Sequence, residues 1–169
     1  MEHVRLLVLV LTLLALGSCE TERGAPDAVT ETPGVSDAEV RIGSSLALTG
    51  HAGYLGEQTL HGALAYINHI NETGGVNGRR VTVIAADDGY DPPRCLLNTQ
   101  QLLIEKNIFS LFCNVGTPTT VKILPLIEDA RVPLIGAFTG AAALREPFNR
   151  YIVNIRASYY QETDAALRH

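Results

Sequence analysis

The sequence predicts an α/β fold in which a parallel sheet is doubly wound, with helices on both of its faces. Short apolar segments alternate with segments whose apolar residues recur at helical spacing, from Ala38 to His169. The strand segments are nearly continuous apolar runs, which is typical of strands covered on both faces. Hydrophobic residues make up 46% of the 169 residues, which is enough for a buried core. The chain is therefore expected to form one domain or part of a larger one.

Five strands and four helices are expected in order along the chain. Leu60, Leu64 and Ile67 recur at helical spacing in the first helix. Asp91 is expected to cap the second helix, with Pro92 in its first turn. The predicted strands are residues 40–48, 81–86, 108–115, 132–137 and 151–155. The predicted helices are residues 57–70, 92–106, 118–130 and 160–169.

The loops that follow the strands are the expected place of a ligand site. In doubly wound folds, ligands bind outside the carboxyl ends of the parallel strands, which all meet at one edge of the sheet. Tyr159 and Tyr160 lie at the last of these loops, where they are expected either to line a cleft or to pack at the start of a helix. The loops at this edge are residues 49–55, 87–91, 116–119, 138–140 and 156–159.

The loop after the third strand reads "GTPTT" from Gly116 to Thr120. Thr117 stands where an N-cap is expected, and Pro118 suits the first helical position. The helix start therefore offers N–H groups, the positive end of the helix dipole, and the hydroxyls of Thr117 and Thr119. These groups predict a small anion site that would hold a carboxylate.

The loop after the fourth strand has the same character. Ala137 and Gly140 are small enough to let a ligand approach the backbone, and Thr139 adds a hydrogen-bond donor and acceptor. Two neighbouring strand ends of this kind can hold a carboxylate and an amine together. The alternative is that the threonines only cap their helices, as threonine often does.

The first residues resemble a bacterial lipoprotein signal. Arg5 precedes an apolar run over residues 6–16, which is shorter than the roughly 20 residues needed to span a bilayer. Small residues follow, and then Cys19, which is the expected point of cleavage and lipidation. Residues 1–18 are thus predicted to be a signal peptide and the polar residues 19–37 a flexible tether. The alternative is an ordinary secretory signal with an incidental cysteine.

Charge and motifs argue against several function classes. The net charge of −5 does not fit a nucleic-acid-binding protein, which normally has a basic face. The sequence has no P-loop, no G-x-G-x-x-G after its first strand, no G-x-S-x-G and no H-E-x-x-H. Binding rather than catalysis is therefore expected, without a metal or a cofactor.

Four segments of the chain resemble a known family: "IGSSLALTGHAGYLGEQTLHGALAYIN", "INETGGVNGRRVTVIAADDGYDP", "VGTPTT" and "GAFTGAAALREPF". Their order and spacing are similar to those of the substrate-binding proteins of bacterial ABC importers, of the branched-chain amino acid receptor type. The resemblance implies the periplasmic binding protein type I fold, in which two lobes close like a hinge on a small ligand. It also implies that residues 38–169 are a fragment, the partial N-terminal lobe, with the second lobe absent.

The resemblance implies a function and a location as well. The protein would be the extracytoplasmic solute-binding component of an ABC importer, which binds an amino acid or a similar small carboxylate or amide and delivers it to a permease. It would lie on the periplasmic or cell-surface side of the membrane, anchored by lipid at Cys19. The alternative is the ligand-binding module of a sensory receptor, although such sensors usually retain a transmembrane segment.

The resemblance further implies which residues bind the ligand. The loop from Gly116 to Thr119 would supply hydroxyl and backbone donors to the ligand carboxylate, with Thr117 as the main hydroxyl. Ala137 would supply a backbone carbonyl to the ligand amine, and Thr139 would supply a second hydroxyl to the carboxylate.

An aromatic side chain from the loop after the first strand often contacts the ligand in this family. Tyr54 or Leu55 stands near that place, and the alignment is ambiguous by one residue. The chain departs from the family at Phe138, where amino acid receptors often have serine or alanine. This bulk would either change the ligand or point away from it.

Cys95 and Cys113 are the cysteines that remain after Cys19. The branched-chain amino acid receptors have a disulfide in this region, and the resemblance implies a similar bridge, although the cysteine positions are shifted. The alternative is a pair of buried free thiols, because the sequence does not give the distance between them.

Overall fold

A computed structural model of the chain describes residues 32–168, which are built around a sheet of five parallel strands in the order β2-β1-β3-β4-β5. The strands are β1 (Glu39–Leu46), β2 (Arg80–Asp87), β3 (Ser110–Phe112), β4 (Leu134–Ile135) and β5 (Ile152–Val153). The helices are α1 (Gly53–Glu72), α2 (Pro92–Ile104), α3 (Thr117–Ala130) and α4 (Tyr159–Arg168). The predicted α/β class and the parallel, doubly wound arrangement are confirmed.

Strands β3 and β4 are shorter than predicted because the backbone leaves the extended conformation at their carboxyl ends. Cys113 and Gly136 have positive φ angles of 52° and 66°, and Gly116 has a φ of 109°. A left-handed residue ends regular strand pairing, although the residue before it is apolar. Beyond this point the segments that follow β3 and β4 remain paired through an isolated parallel bridge between Val115 and Phe138.

The core lies between the sheet and helices α2 and α3. Leu111 and Leu134, from the central strands, belong to one buried cluster with Leu102 of α2 and with Ile123 and Ile127 of α3. Complete burial of a side chain of this size contributes about 1.5–3 kcal/mol relative to exposure. The cluster fixes the ends of β3 and β4 relative to each other, and these ends carry the candidate site.

Helix α1 follows a short 3-10 helix over Gly50–Ala52 and starts at Gly53 rather than at residue 57 as predicted. The start is early because Gly56 packs on the backbone of Ala47, where a β-carbon would overlap the carbonyl oxygen. Tyr54 and Leu55, which were predicted in a loop, are therefore in the first turn of the helix.

The folded region also begins earlier than the predicted boundary between tether and lobe. Gly34 is buried, and its carbonyl accepts a hydrogen bond of 2.8 Å from the Arg41 N–H. Val35 forms an isolated antiparallel bridge with Val40. The predicted signal peptide, most of the tether and Cys19 lie outside the described residues. None of the helices within residues 32–168 has the length and hydropathy required to cross a bilayer.

The structure has Cys95 and Cys113 as free thiols rather than as a disulfide, and of the two only Cys95 is buried, while Cys113 is half-buried. Cys95 is fully buried in the core cluster on α2. Burial raises the pKa of its thiol to about 12, and the nearby Asp88 carboxyl adds to the rise. Cys113 lies in the left-handed turn that ends β3, and burial raises the pKa of its thiol too. Both thiols are thus weak nucleophiles.

Candidate ligand-binding site

Three hydroxyl groups meet at the carboxyl ends of β3 and β4, and we call Thr117, Thr139 and Tyr159 the hydroxyl trio. The Oγ1 atoms of Thr117 and Thr139 are 2.7 Å apart. The phenolic oxygen of Tyr159 is 3.4 Å from Thr117 Oγ1 and 3.3 Å from Thr139 Oγ1. Each of these groups can donate or accept, so the trio can adapt its protons to a ligand.

Backbone hydrogen bonds bring the trio together. The Phe138 N–H donates to the Asn114 carbonyl at 2.7 Å, which sets the loop after β4 beside the loop after β3. The Tyr159 N–H donates to the Gly140 carbonyl at 2.9 Å, which draws the start of α4 to the same place. The site is therefore assembled from three separate strand ends, as expected for a doubly wound sheet.

The members of the trio differ in their access to solvent. Thr139 is 0% exposed, and its Oγ1 also accepts a hydrogen bond of 3.2 Å from the Ala141 N–H. Thr117 is half-buried, and Tyr159 is 43% exposed. Thr139 is thus an anchor that holds the other two hydroxyls in place, and Thr117 and Tyr159 are the members of the trio that solvent reaches.

The environment of Tyr159 makes it a stronger hydrogen-bond donor than a free phenol. Hydrogen bonds with Thr117 and Thr139 lower the pKa of the phenol, and partial burial opposes them. A backbone hydrogen bond of Gly140 and the nearby Arg156 charge lower the pKa of the phenol further. A more acidic hydroxyl forms stronger bonds with an anionic acceptor, which suits a carboxylate.

Arg156 packs against the outer side of the trio. Its guanidinium carbon is 5.2 Å from the ring centroid of Phe138 and 5.4 Å from that of Tyr159. The same guanidinium donates to both carboxylate oxygens of Glu162, at 2.6 and 2.8 Å. This two-bond ion pair orients the cation, and the cation in turn holds the two rings at the edge of the site.

The structure brings Thr117 and Thr139 together as the sequence predicts, but not Thr119. The Thr119 hydroxyl is fully buried and donates to the carbonyl of Val115, 2.9 Å away and four residues earlier in the chain. This inward bond is common for threonine near a helix start and leaves the hydroxyl unavailable to a ligand. Thr117 is also not the N-cap, because it lies inside α3 and Gly116 holds the capping position without a side chain.

The other predicted residues differ in position. Gly116 is buried and directly precedes Thr117 in the chain. Its carbonyl already accepts hydrogen bonds from the backbone N–H and the side-chain hydroxyl of Thr120. Ala137 is 4% exposed, and its carbonyl accepts the Thr139 N–H at 2.9 Å. Tyr54 is 77% exposed in the first turn of α1, and within residues 32–168 no hydrogen bond joins it to the trio.

The sequence did not predict that Tyr159 would complete the trio, since two adjacent tyrosines at this loop were equivalent by pattern. The feature of the sequence that could have identified Tyr159 is Gly140, in the loop after β4. A β-carbon on Gly140 would come within 2.7 Å of Tyr159 Cδ1, so the glycine makes room for this ring. Tyr160 is 78% exposed and lies in α4. Which of the two tyrosine rings reaches Thr117 and Thr139 therefore depends on the backbone path around Gly140.

Asp87, at the end of β2, joins the loop after β1 to the loop after β2. Its Oδ1 accepts the N–H groups of Leu48 at 2.8 Å and Gly89 at 2.9 Å, and its Oδ2 accepts the Thr49 hydroxyl at 2.7 Å. Burial opposes ionisation, but these hydrogen bonds and the charge of Arg94 outweigh it and lower the pKa of Asp87 to about 2. The Asp87 carboxylate is therefore ionised at neutral pH, and its ionised form accepts these hydrogen bonds.

We expect Asp87→Asn to lower the melting temperature at neutral pH and to lower it by a smaller amount in acid. Because the folded-state pKa, about 2, lies below the ordinary value of 3.8, the carboxylate stabilises the fold above pH 3.8. This stabilisation is lost as the pH falls from 3.8 towards 2. Thermal melts of both proteins across pH 2–7 measure the difference. A difference that stays constant below pH 3.8 would contradict the role given to the ionised Asp87.

Comparison with known proteins places the chain among solute-binding proteins. A family model described as periplasmic binding protein matches residues 39–169. Leu/Ile/Val-binding protein homolog 2 of Brucella abortus is 37% identical over 59 residues, which are 35% of this chain and 16% of that protein. An amino acid binding protein of Pseudomonas aeruginosa is 26% identical over 108 residues, which are 62% of this chain and 29% of that protein.

A solved structure agrees with the sequence comparisons. The crystal structure of a possible leucine/isoleucine/valine-binding protein from Rhodopirellula baltica matches with a TM-score of 0.73 and 35% identity. The match covers 83% of this chain and 37% of that protein. The chain therefore spans well under half the length of the relatives that it matches.

Proposed function

Because this chain belongs to the periplasmic binding protein family, we propose that it is the extracytoplasmic solute-binding component of an ABC importer. The proposed ligand is an amino acid or a similar small carboxylate or amide, which the protein delivers to a permease in the membrane. The names of the Brucella and Pseudomonas relatives, which refer to leucine, isoleucine, valine and amino acids, support this ligand class.

The hydroxyl trio is the observation that carries the proposal. Thr117 and Tyr159 present hydroxyls 3.4 Å apart, a spacing at which both can donate to one carboxylate. Each hydrogen bond to a charged group contributes about 1.5–3 kcal/mol. Within residues 32–168 the hydrogen-bond partners of the trio include no histidine and no carboxylate, so nothing there removes a proton from a hydroxyl. The chemistry proposed is therefore binding without catalysis.

The proposed ligand would lie on the edge of this lobe and be covered by a second lobe. Small-molecule sites normally bury about 70–90% of the ligand, and an open sheet edge alone covers much less. Closure of two lobes about a hinge would bury the trio and remove water from it, which strengthens the hydrogen bonds to a carboxylate. This arrangement is the reason to propose tight binding only for a protein with both lobes.

Calorimetric titration of the full-length gene product tests the ligand class. The panel contains the common L-amino acids, their amides and the corresponding carboxylic acids without the amino group. We expect heat of binding with at least one member and competition among those that bind. No binding to any member would contradict the proposal. Uptake of the bound solute by intact cells should fall when the gene is deleted, and unchanged uptake would argue against the importer role.

We also propose that Cys19 is the lipid attachment site. Cys19→Ser is expected to abolish incorporation of radioactive palmitate into the protein in growing bacteria, because the modified thiol is lost. The matched control is Cys113→Ser, which removes a thiol from the folded region and should leave the labelling unchanged. Labelling that persists in Cys19→Ser would reject the lipid anchor at this position.

A further inference from the structure

We infer that the ligand carries an aromatic ring, which packs against the rings of Tyr90 and Tyr159 at the border of the hydroxyl trio. The inference rests on the proposed function, since it concerns the part of the ligand beyond its carboxylate. It goes further by assigning a role to Tyr90, which lies in the loop after β2 and which the sequence patterns did not single out.

Each of the two tyrosines packs on a glycine in a loop that follows a strand, Gly116 after β3 and Gly140 after β4. A β-carbon on Gly116 would come within 2.5 Å of Tyr90 Cε2, and one on Gly140 within 2.7 Å of Tyr159 Cδ1. Both rings therefore lie against bare backbone, at a closeness that a larger residue would prevent. Gly116 directly precedes Thr117, and Gly140 directly follows Thr139, so each ring packs on a glycine that is the chain neighbour of a threonine of the trio.

The backbone at Tyr90 is in an unfavourable conformation that keeps its ring in this place. Its φ angle is 68°, which is rare for a bulky residue. The Tyr90 N–H donates to Asp88 Oδ1 at 2.9 Å, and the Asp91 N–H donates to the Asp88 carbonyl at 2.9 Å. Asp88 is fully buried, so the turn has a fixed base. Strained residues of this kind concentrate at ligand sites, where the surrounding structure offsets their cost.

Further rings extend the aromatic surface on both sides. The His51 ring meets Tyr90 edge-on, with centroids 5.1 Å apart and planes at 74°. On the other side Phe138 is 39% exposed, and it shares the Arg156 cation with Tyr159. Phe138 and Tyr159 are therefore not core residues, since both keep a large exposed surface. A planar ligand ring has offset or edge-on partners on either side.

The geometry of ring contacts decides between an aromatic and a branched aliphatic ligand. An aliphatic side chain gains only from the area that it buries, whereas an aromatic pair gains further from the alignment of its ring quadrupoles. This addition corresponds to a preference of about threefold to tenfold for the ring at equal buried area. A ligand with the same polar end and a ring is therefore expected to bind more tightly than one with a branched alkyl group.

Two matched pairs of compounds test the inference by calorimetric titration of the full-length gene product. L-Phenylalanine is compared with L-leucine, and 3-phenylpropanoate with 4-methylpentanoate, so that only the body of the ligand changes within a pair. We expect the ring compound to bind about threefold to tenfold more tightly in the pair that binds. Equal or tighter binding of the aliphatic member overturns the aromatic inference and leaves the proposed function standing. No binding of any of the four compounds overturns the aromatic inference, whereas the proposed function is judged on the full panel of amino acids, amides and carboxylic acids.

Variants of Tyr90 show whether its ring is responsible. Tyr90→Leu is expected to bring the two members of a pair within about twofold of each other, whereas Tyr90→Phe keeps the ring and should keep the preference. Tyr66→Leu makes the same change at a residue of α1 that is 69% exposed and should have no effect. Circular dichroism confirms that each variant is folded. A preference that survives in folded Tyr90→Leu overturns the role of Tyr90.

Discussion

Replacing Thr139 with valine is expected to weaken binding of the ligand by about tenfold or more, and to lower stability as well. Valine has nearly the same shape but lacks the hydroxyl that is 2.7 Å from Thr117 Oγ1 and 3.3 Å from the Tyr159 phenol. Without this anchor the two accessible hydroxyls lose the partner that orients them. The buried N–H of Ala141 also loses its acceptor, which costs about 1–3 kcal/mol.

Calorimetric titration and urea unfolding separate these two effects. Thr117→Val removes an accessible hydroxyl, so it should weaken binding to a similar degree with little loss of stability. Thr139→Ser retains the hydroxyl and should restore most of the affinity. Thr59→Val is the matched control, because its hydroxyl donates only to the Leu55 carbonyl on the surface of α1. Wild-type affinity in Thr139→Val would remove the trio from the binding site.

Substitution of alanine for glycine in helix α1 is expected to have opposite effects at two positions. Gly56→Ala should lower the free energy of unfolding by about 1–3 kcal/mol, because the new β-carbon overlaps the Ala47 carbonyl oxygen. The obstacle is backbone at the end of β1, which cannot rotate away as a flexible side chain would. The helix must instead move off the sheet edge, and the loop before it, which holds His51, moves with it.

Gly62→Ala is the control in the same helix. Nothing lies within 4 Å of a β-carbon at Gly62, which is exposed, and alanine favours a helix interior over glycine. This variant should therefore raise the free energy of unfolding by about 0.5–1 kcal/mol. Urea unfolding of both variants measures the two changes. If Gly56→Ala were as stable as Gly62→Ala, the close packing of α1 on the end of β1 would be refuted.

The fold class follows from local patterns in the sequence, and the structure confirms it. Alternation between apolar runs and helical spacing is a property of neighbouring residues, so it can be recognised without knowing the tertiary contacts. The same reasoning identified the loops at the carboxyl edge and, in them, Thr117 and Thr139. The boundaries were less accurate, because turns at Cys113 and Gly136 end the strands while the apolar pattern continues.

Tertiary structure alone decided which polar side chains come together in the candidate site. Thr117 and Thr119 are both hydroxyl residues at the start of α3, but one faces Thr139 and the other bonds back to the Val115 carbonyl. Their directions depend on how α3 leaves the sheet, which no local pattern records. The two cysteines were likewise undecided in sequence, and the fold places one of them in the core as a free thiol.

The largest difference between sequence and structure concerns contacts between distant parts of the chain. Tyr159 lies 42 residues after Thr117 and 20 after Thr139, yet all three hydroxyls meet. Their meeting requires the parallel pairing of β3, β4 and β5 in a particular register and a glycine at position 140 to admit the ring. The sequence by itself determined the kind of fold and the edge where a ligand would bind. The register of the strands determined which hydroxyls meet at that edge, because only the assembled sheet brings its strand ends within hydrogen-bonding distance.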